Sequence, residues 1–109
     1  MYRALMSEDN QFVVPQSFVE LFVPPGRTRP SESQAVIAAR YEFCEDMAQM
    51  LTEHARARLF ELGIAEQDVL ERIHAGLAAG DSFSPAEAWW TVRRLAELLE
   101  WPAPTMPAA

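Results

Sequence analysis

The chain has 109 residues, half of them hydrophobic, and a formal charge of −7 from nine arginines, no lysine and sixteen acids. That length supports one modest core. Arginines scattered among so many acids cannot track a phosphate backbone, which argues against general nucleic-acid binding.

Residues 1–11 read as a flexible polar tail, and 12–101 as a single helical domain. A short helix or hook is expected at about 15–22, because Pro15 suits a first turn and Phe18, Leu21 and Phe22 share one face at i, i+3, i+4 spacing. Pro24-Pro25 ends it, since proline removes a donor and restricts the residue before it. The segment 24–30, PPGRTRP, reads as a linker carrying two arginines and no acid. Arg27 and Arg29 either project into solvent or form a two-pronged clamp for a partner's carboxylate or phosphate.

A long helix is expected over about 31–62. Ser31 and Gln34 form an S-x-x-Q capping box, and no proline or glycine intervenes before Gly63. Ile37, Tyr41, Cys44, Ala48, Leu51, Ala55, Leu59 and Leu62 step by three or four and form its apolar stripe. A second helix, about 65–79, buries Val69, Leu70, Ile73 and Leu77; Gly76 within it costs about 1 kcal/mol relative to alanine unless close packing requires it. A third, about 84–100, opens with the strongest start signal in the chain: Ser84 as cap, Pro85 in the first turn and Glu87 completing a capping box. Trp89, Val92, Leu95, Ala96 and Leu99 form its core face. Residues 102–109 read as a second flexible tail. The expected fold class is all-α, a small three-helix bundle with an N-terminal hook.

Adjacent helical residues point about 100° apart, so Trp89 and Trp90 cannot both face the core centre. Trp89 matches the stripe, which leaves Trp90 and Trp101 on a flank beside Arg94. The hook aromatics are expected to cover that flank, because large apolar patches are rarely left exposed. Uncovered, the same flank is a partner surface.

Metal chemistry has thin support. Glu71-Arg72-Ile73-His74 matches the E-x-x-H of helical di-metal sites, but the only other histidine, His54, has leucine three positions before it. Cys44, Met47, Met50 and His54 could offer soft ligands, though methionines at this spacing more often fill core gaps. No cofactor is expected, and neither G-x-S-x-G nor a G-x-x-x-x-G-K-[ST] phosphate loop is present. Cys44 has no intrachain partner, no apolar run reaches the roughly 18 residues of a spanning helix, and the start lacks a signal-peptide pattern. No membrane association is expected, and the expected location is the cytoplasm.

Three stretches, SFVELFVPPGRTRP, AARYEFCEDMAQ and VRRLAELLEW, resemble a group of short bacterial proteins described as ATPases with chaperone activity. The resemblance runs from Val14 to Trp101 and carries no catalytic residues with it. With no phosphate loop in this chain, it implies an accessory of a chaperone or protease machine and not a nucleotide-hydrolysing enzyme. The chain is expected to be a non-enzymatic protein-interaction module whose partner is another protein, with Arg27, Arg29, Trp90, Arg94 and Trp101 as contact residues. The alternatives are a small-ligand or metal-binding bundle using Glu71, His74 and His54, and a structural homodimer.

Overall fold

The computed structural model describes residues 14–105. The expected tail over 1–11 and the last four residues of the C-terminal tail lie outside them. All regular structure among the described residues is helical: α1 (Gln16–Val19), a 3-10 turn (Glu20–Phe22), α2 (Gln34–Leu62), α3 (Glu66–Ala79) and α4 (Pro85–Leu99). The chain is a small all-α helical bundle. Its contacts divide it into two compact units, Met1–Phe43 and Cys44–Ala109, with the boundary inside α2.

In the first unit the hook is held by aromatic packing. Phe18 is fully buried, with its ring centroid 5.5 Å from Phe22 and 5.7 Å, edge-on, from Tyr41 of α2. Beyond Phe22 the chain reverses through Pro24-Pro25-Gly26-Arg27. The Arg27 N–H donates to the Pro24 carbonyl at 3.0 Å, and Gly26 takes φ +77°. A type II turn favours proline second and requires a left-handed residue third, which glycine supplies without steric cost. Ser31 then closes the loop, donating from its N–H (2.7 Å) and its hydroxyl (3.1 Å) to the Phe22 carbonyl. This corrects the expected cap of α2. Ser31 is spent on loop closure, and Ser33 Oγ accepts from the Val36 N–H at 3.2 Å instead. The cap moves two residues along, to the serine directly before the first helical residue.

In the second unit, α2 from Cys44 onward, α3 and α4 share one core. Ala48 and Ala55 meet Val69, Leu70, Ile73, Val92, Leu95, Ala96 and Leu99. The small alanines on α2 let the larger side chains of the other two helices fill the space between them. α4 begins as its sequence predicts: Ser84 Oγ accepts from the Glu87 N–H (3.1 Å) and the Glu87 carboxylate accepts from the Ser84 N–H (2.9 Å). It ends at Glu100 in the left-handed conformation, φ 60°, where the Trp101 N–H reaches back to the Ala96 carbonyl at 2.9 Å.

Two expectations are corrected in this unit. The buried stripe of α4 is Ala88, Thr91, Val92, Leu95, Ala96 and Leu99, joined by Trp90 at 5% exposure, while Trp89 is only partly buried. Both 88 and 89 precede Val92 by a helical step, and the stripe runs through 88. Residues 103–105 of the expected C-terminal tail are also held in place. The Gln67 side-chain amide donates to the Ala103 carbonyl (3.0 Å) and its oxygen accepts from the Thr105 N–H (3.2 Å), and Pro104 is buried.

Candidate functional site

The five expected contact residues fall into three environments. Arg27 and Arg29 are exposed on the closed loop, and their guanidinium groups have no partner among the described residues. The type II turn and the Ser31 closure fix the backbone beneath them, so the loop presents both guanidinium groups from a defined base.

Trp90, Arg94 and Trp101 belong to the second unit. Trp90 is buried, and Trp101 packs, half-buried, on the core. Arg94 makes a two-pronged contact with Glu45: Nε to Oε1 at 2.8 Å and a terminal nitrogen to Oε2 at 3.1 Å, while its other terminal nitrogen reaches Glu97 at 3.0 Å. Burial alone would raise the Glu45 carboxyl, but hydrogen bonds from Arg94 and Gln49 outweigh it and hold it below the ordinary carboxylate value. Those same carboxylates raise the Arg94 pKa further. Arg94 ties α2 to α4.

Among the described residues no group of three or more His, Cys, Asp or Glu lies close enough to hold an ion. Glu71 is exposed. The His74 ring stacks on Trp89, centroids 3.8 Å apart and planes 24° from parallel. Its Nε2 is buried without a hydrogen-bond partner, and burial pushes its pKa below the ordinary value. A neutral imidazole packed on indole is a structural group here, and it explains why Trp89 sits at the edge of the core.

His54 belongs to a feature that the sequence reading did not identify. Between the last three turns of α2 and the body of α3 lies an open groove of about 390 Å³. From α2 come Leu51, His54, Arg58 and Leu62; from α3 come Val69, Arg72, Ile73, Gly76 and Leu77. The floor is apolar: Val69 is 1% and Ile73 9% exposed. The rim is basic. Arg58 reaches only Glu61, at 3.9 Å with both side chains about half exposed, a contact that contributes little. Arg72 and His54 have no partner among the described residues.

The apolar positions of this groove were expected to be core, and that is how the site was missed. Leu51 and Leu77 are only partly buried, and Leu62 is 41% exposed. The available signal was Gly76. Close packing does not require it: a β-carbon there would meet nothing within 4 Å. Both the glycine and the basic residues lie along the same two helical stripes as those leucines.

The chain matches no protein-family model, no curated protein and no solved structure with which it was compared.

Proposed function

We propose that this chain is a non-enzymatic protein-interaction module. The supporting observation is the groove between α2 and α3, where an apolar floor meets a rim of Arg58, Arg72 and His54 on a chain with a net charge of −7. A folded chain gains stability by pairing its arginines with its many acids; here two stay largely unpaired beside apolar surface. Interfaces favour that combination, because arginine combines a planar donor fork with an apolar stem. Arg27 and Arg29 on the loop form a second candidate contact. The resemblance to short bacterial proteins described as ATPases with chaperone activity extends the proposal: the partner is a component of a chaperone or protease machine in the cytoplasm. No helix of the described residues is long and apolar enough to cross a membrane.

Affinity capture from native lysate tests this reading, with the wild-type chain run beside an Arg58→Glu, Arg72→Glu variant and an Arg27→Ala, Arg29→Ala variant. The expected result is a protein retained by the wild type and lost by at least one of the two folded variants. Identical capture by all three would overturn the proposal.

A further inference from the structure

The groove has a shape and a charge pattern that select one class of occupant. On α2 its lining runs from Leu51 to Leu62, and on α3 from Val69 to Leu77. At 1.5 Å per residue these are stretches of about 16 Å and 12 Å. Only Gly63, Ile64 and Ala65 separate the two helices, so the groove they line lies beside a short connection. A trough of this form between two helices is the receptor of helix-in-groove recognition, in which a third helix lays its apolar face along the floor. Its length fits two to three turns of an occupant.

Charge narrows the class. His54 and Arg58 stand on one wall and Arg72 on the other, so a helix seated on the floor would have a cation along each edge. Carboxylates flanking its apolar face would meet guanidinium groups, whose fork suits bidentate pairing. The acids nearest the rim in sequence are Glu61, which touches Arg58 only at 3.9 Å, and Glu53, Asp68 and Glu71, all exposed; none occupies the rim cations.

Gly76 supplies a separate observation. Mid-helix glycine is unfavourable, and this one relieves no contact inside the protein, because an added β-carbon would meet nothing within 4 Å. Since Gly76 lines the groove, what its missing side chain leaves room for lies outside the chain.

We infer that the groove between α2 and α3 binds an acidic amphipathic helix of a partner protein, with apolar residues at i, i+3, i+4 and i+7 on the floor and flanking carboxylates on Arg58 and Arg72. This deepens the interaction reading and rests on it.

The test uses the full chain and a fluorescent 14-residue alanine-based helical peptide with leucines at those four positions and glutamates on both flanks. A matched peptide carries lysines in place of the glutamates. The glutamate peptide should bind saturably and at least tenfold more tightly than the lysine peptide, with amide shifts concentrated on residues lining the groove. In the Arg58→Glu, Arg72→Glu variant the preference should invert, which no loss of folding could produce. Gly76→Leu should melt no lower than the wild type yet bind the glutamate peptide at least tenfold more weakly. Equal binding of the two peptides, no saturable binding, or shifts centred elsewhere would overturn the inference. So would groove-centred shifts with decanoate and none with the peptide, which would mark a small-acid pocket. A dimer abolished by the charge reversal would assign the groove to a second copy of this chain. A lysate partner that depends on Arg27 and Arg29 alone would leave the interaction reading standing while this inference fails.

Discussion

Arg94 and Arg72 are the same residue type on neighbouring helices of one unit, with opposite fates. Arg94 is two-thirds covered and makes three hydrogen bonds to the carboxylates of Glu45 and Glu97. Arg72, on the groove rim, makes none among the described residues. At the α2–α4 seam, helix positions 49 residues apart in the chain converge, and the arginine completes the fold. At the α2–α3 groove the walls stand apart, and the arginine faces solvent beside apolar surface. An arginine's role is thus set by whether a carboxylate from another helix arrives at its fork, and neighbouring residues in sequence do not determine that.

Removing the seam should have the largest effect. Arg94→Ala should destabilise the protein by about 1–3 kcal/mol, the range for hydrogen bonds to charged groups that leave a partner unsatisfied. Each 1 kcal/mol moves the melting point of a domain this size by roughly 4–8 °C. The pH dependence follows from Glu45, whose folded pKa lies below its unfolded value. The folded state therefore holds this proton less tightly, so the contribution is complete above the unfolded carboxylate range and is lost as pH falls through the folded value. Thermal melts should show a full gap between wild type and variant at pH 7, closing below about pH 4. A gap that persists unchanged at pH 3 would mean the pair is not its source.

The next effect concerns a group that the fold has buried at a cost. His74 presents an unpartnered Nε2 to the interior, and its lowered pKa means that the unfolded chain binds the proton more readily. Its contribution is complete above the unfolded value and declines as pH falls from about 6.5 through the folded value. His74→Phe keeps a ring on Trp89 and removes the orphaned nitrogen. It should stabilise by about 1 kcal/mol at neutral pH and flatten the loss of melting temperature between pH 7.5 and 5.5. A variant less stable than wild type at every pH would show that the imidazole makes a contact the stacking does not account for.

Gly76→Ala should stabilise by about 0.5–1 kcal/mol, since it removes backbone entropy from the unfolded chain and its β-carbon meets nothing. Denaturant melts at constant m-value measure this directly. A loss of stability would show that the glycine serves the fold, and the groove would then lose its clearest anomaly.

The helices themselves were legible because their signals are local. The Ser84-Pro85-Glu87 box, Gly63 and the Pro-Pro-Gly turn each act within a few residues and stand where the sequence places them. What was hidden depends on which distant groups meet. Ser31 and Ser33 are equivalent as caps until the Phe22 carbonyl claims Ser31. Trp89, expected in the core, instead stacks on the ring of His74, fifteen residues away on another helix. Gln67 pins the 103–105 segment across 36 to 38 residues. The groove was illegible for a related reason: periodicity reports which face a helix turns inward, but not whether the neighbour comes close enough to cover it.

The smallest effect is the one on which the contrast between the two arginine environments turns. Arg58→Ala and Arg72→Ala, singly or together, should leave stability within about 0.5 kcal/mol per site of the wild type. Arg58 gives up only a 3.9 Å surface contact with Glu61, and such pairs contribute from nothing to about 1 kcal/mol. Arg72 has no carboxylate to strand, so removing it leaves no orphaned charge, unlike Arg94, whose loss abandons the part-buried Glu45. In a chain of net charge −7 removing two cations also strengthens overall repulsion, a term that salt screens. The measurement should therefore be made at about 0.15 M and again at 0.5 M salt. Near-equal melts at both concentrations, beside the clear loss for Arg94→Ala, would separate an arginine that holds the fold from two that the fold does not need. If the Arg58, Arg72 pair costs as much as Arg94, both are structural, and the groove rim is part of the scaffold.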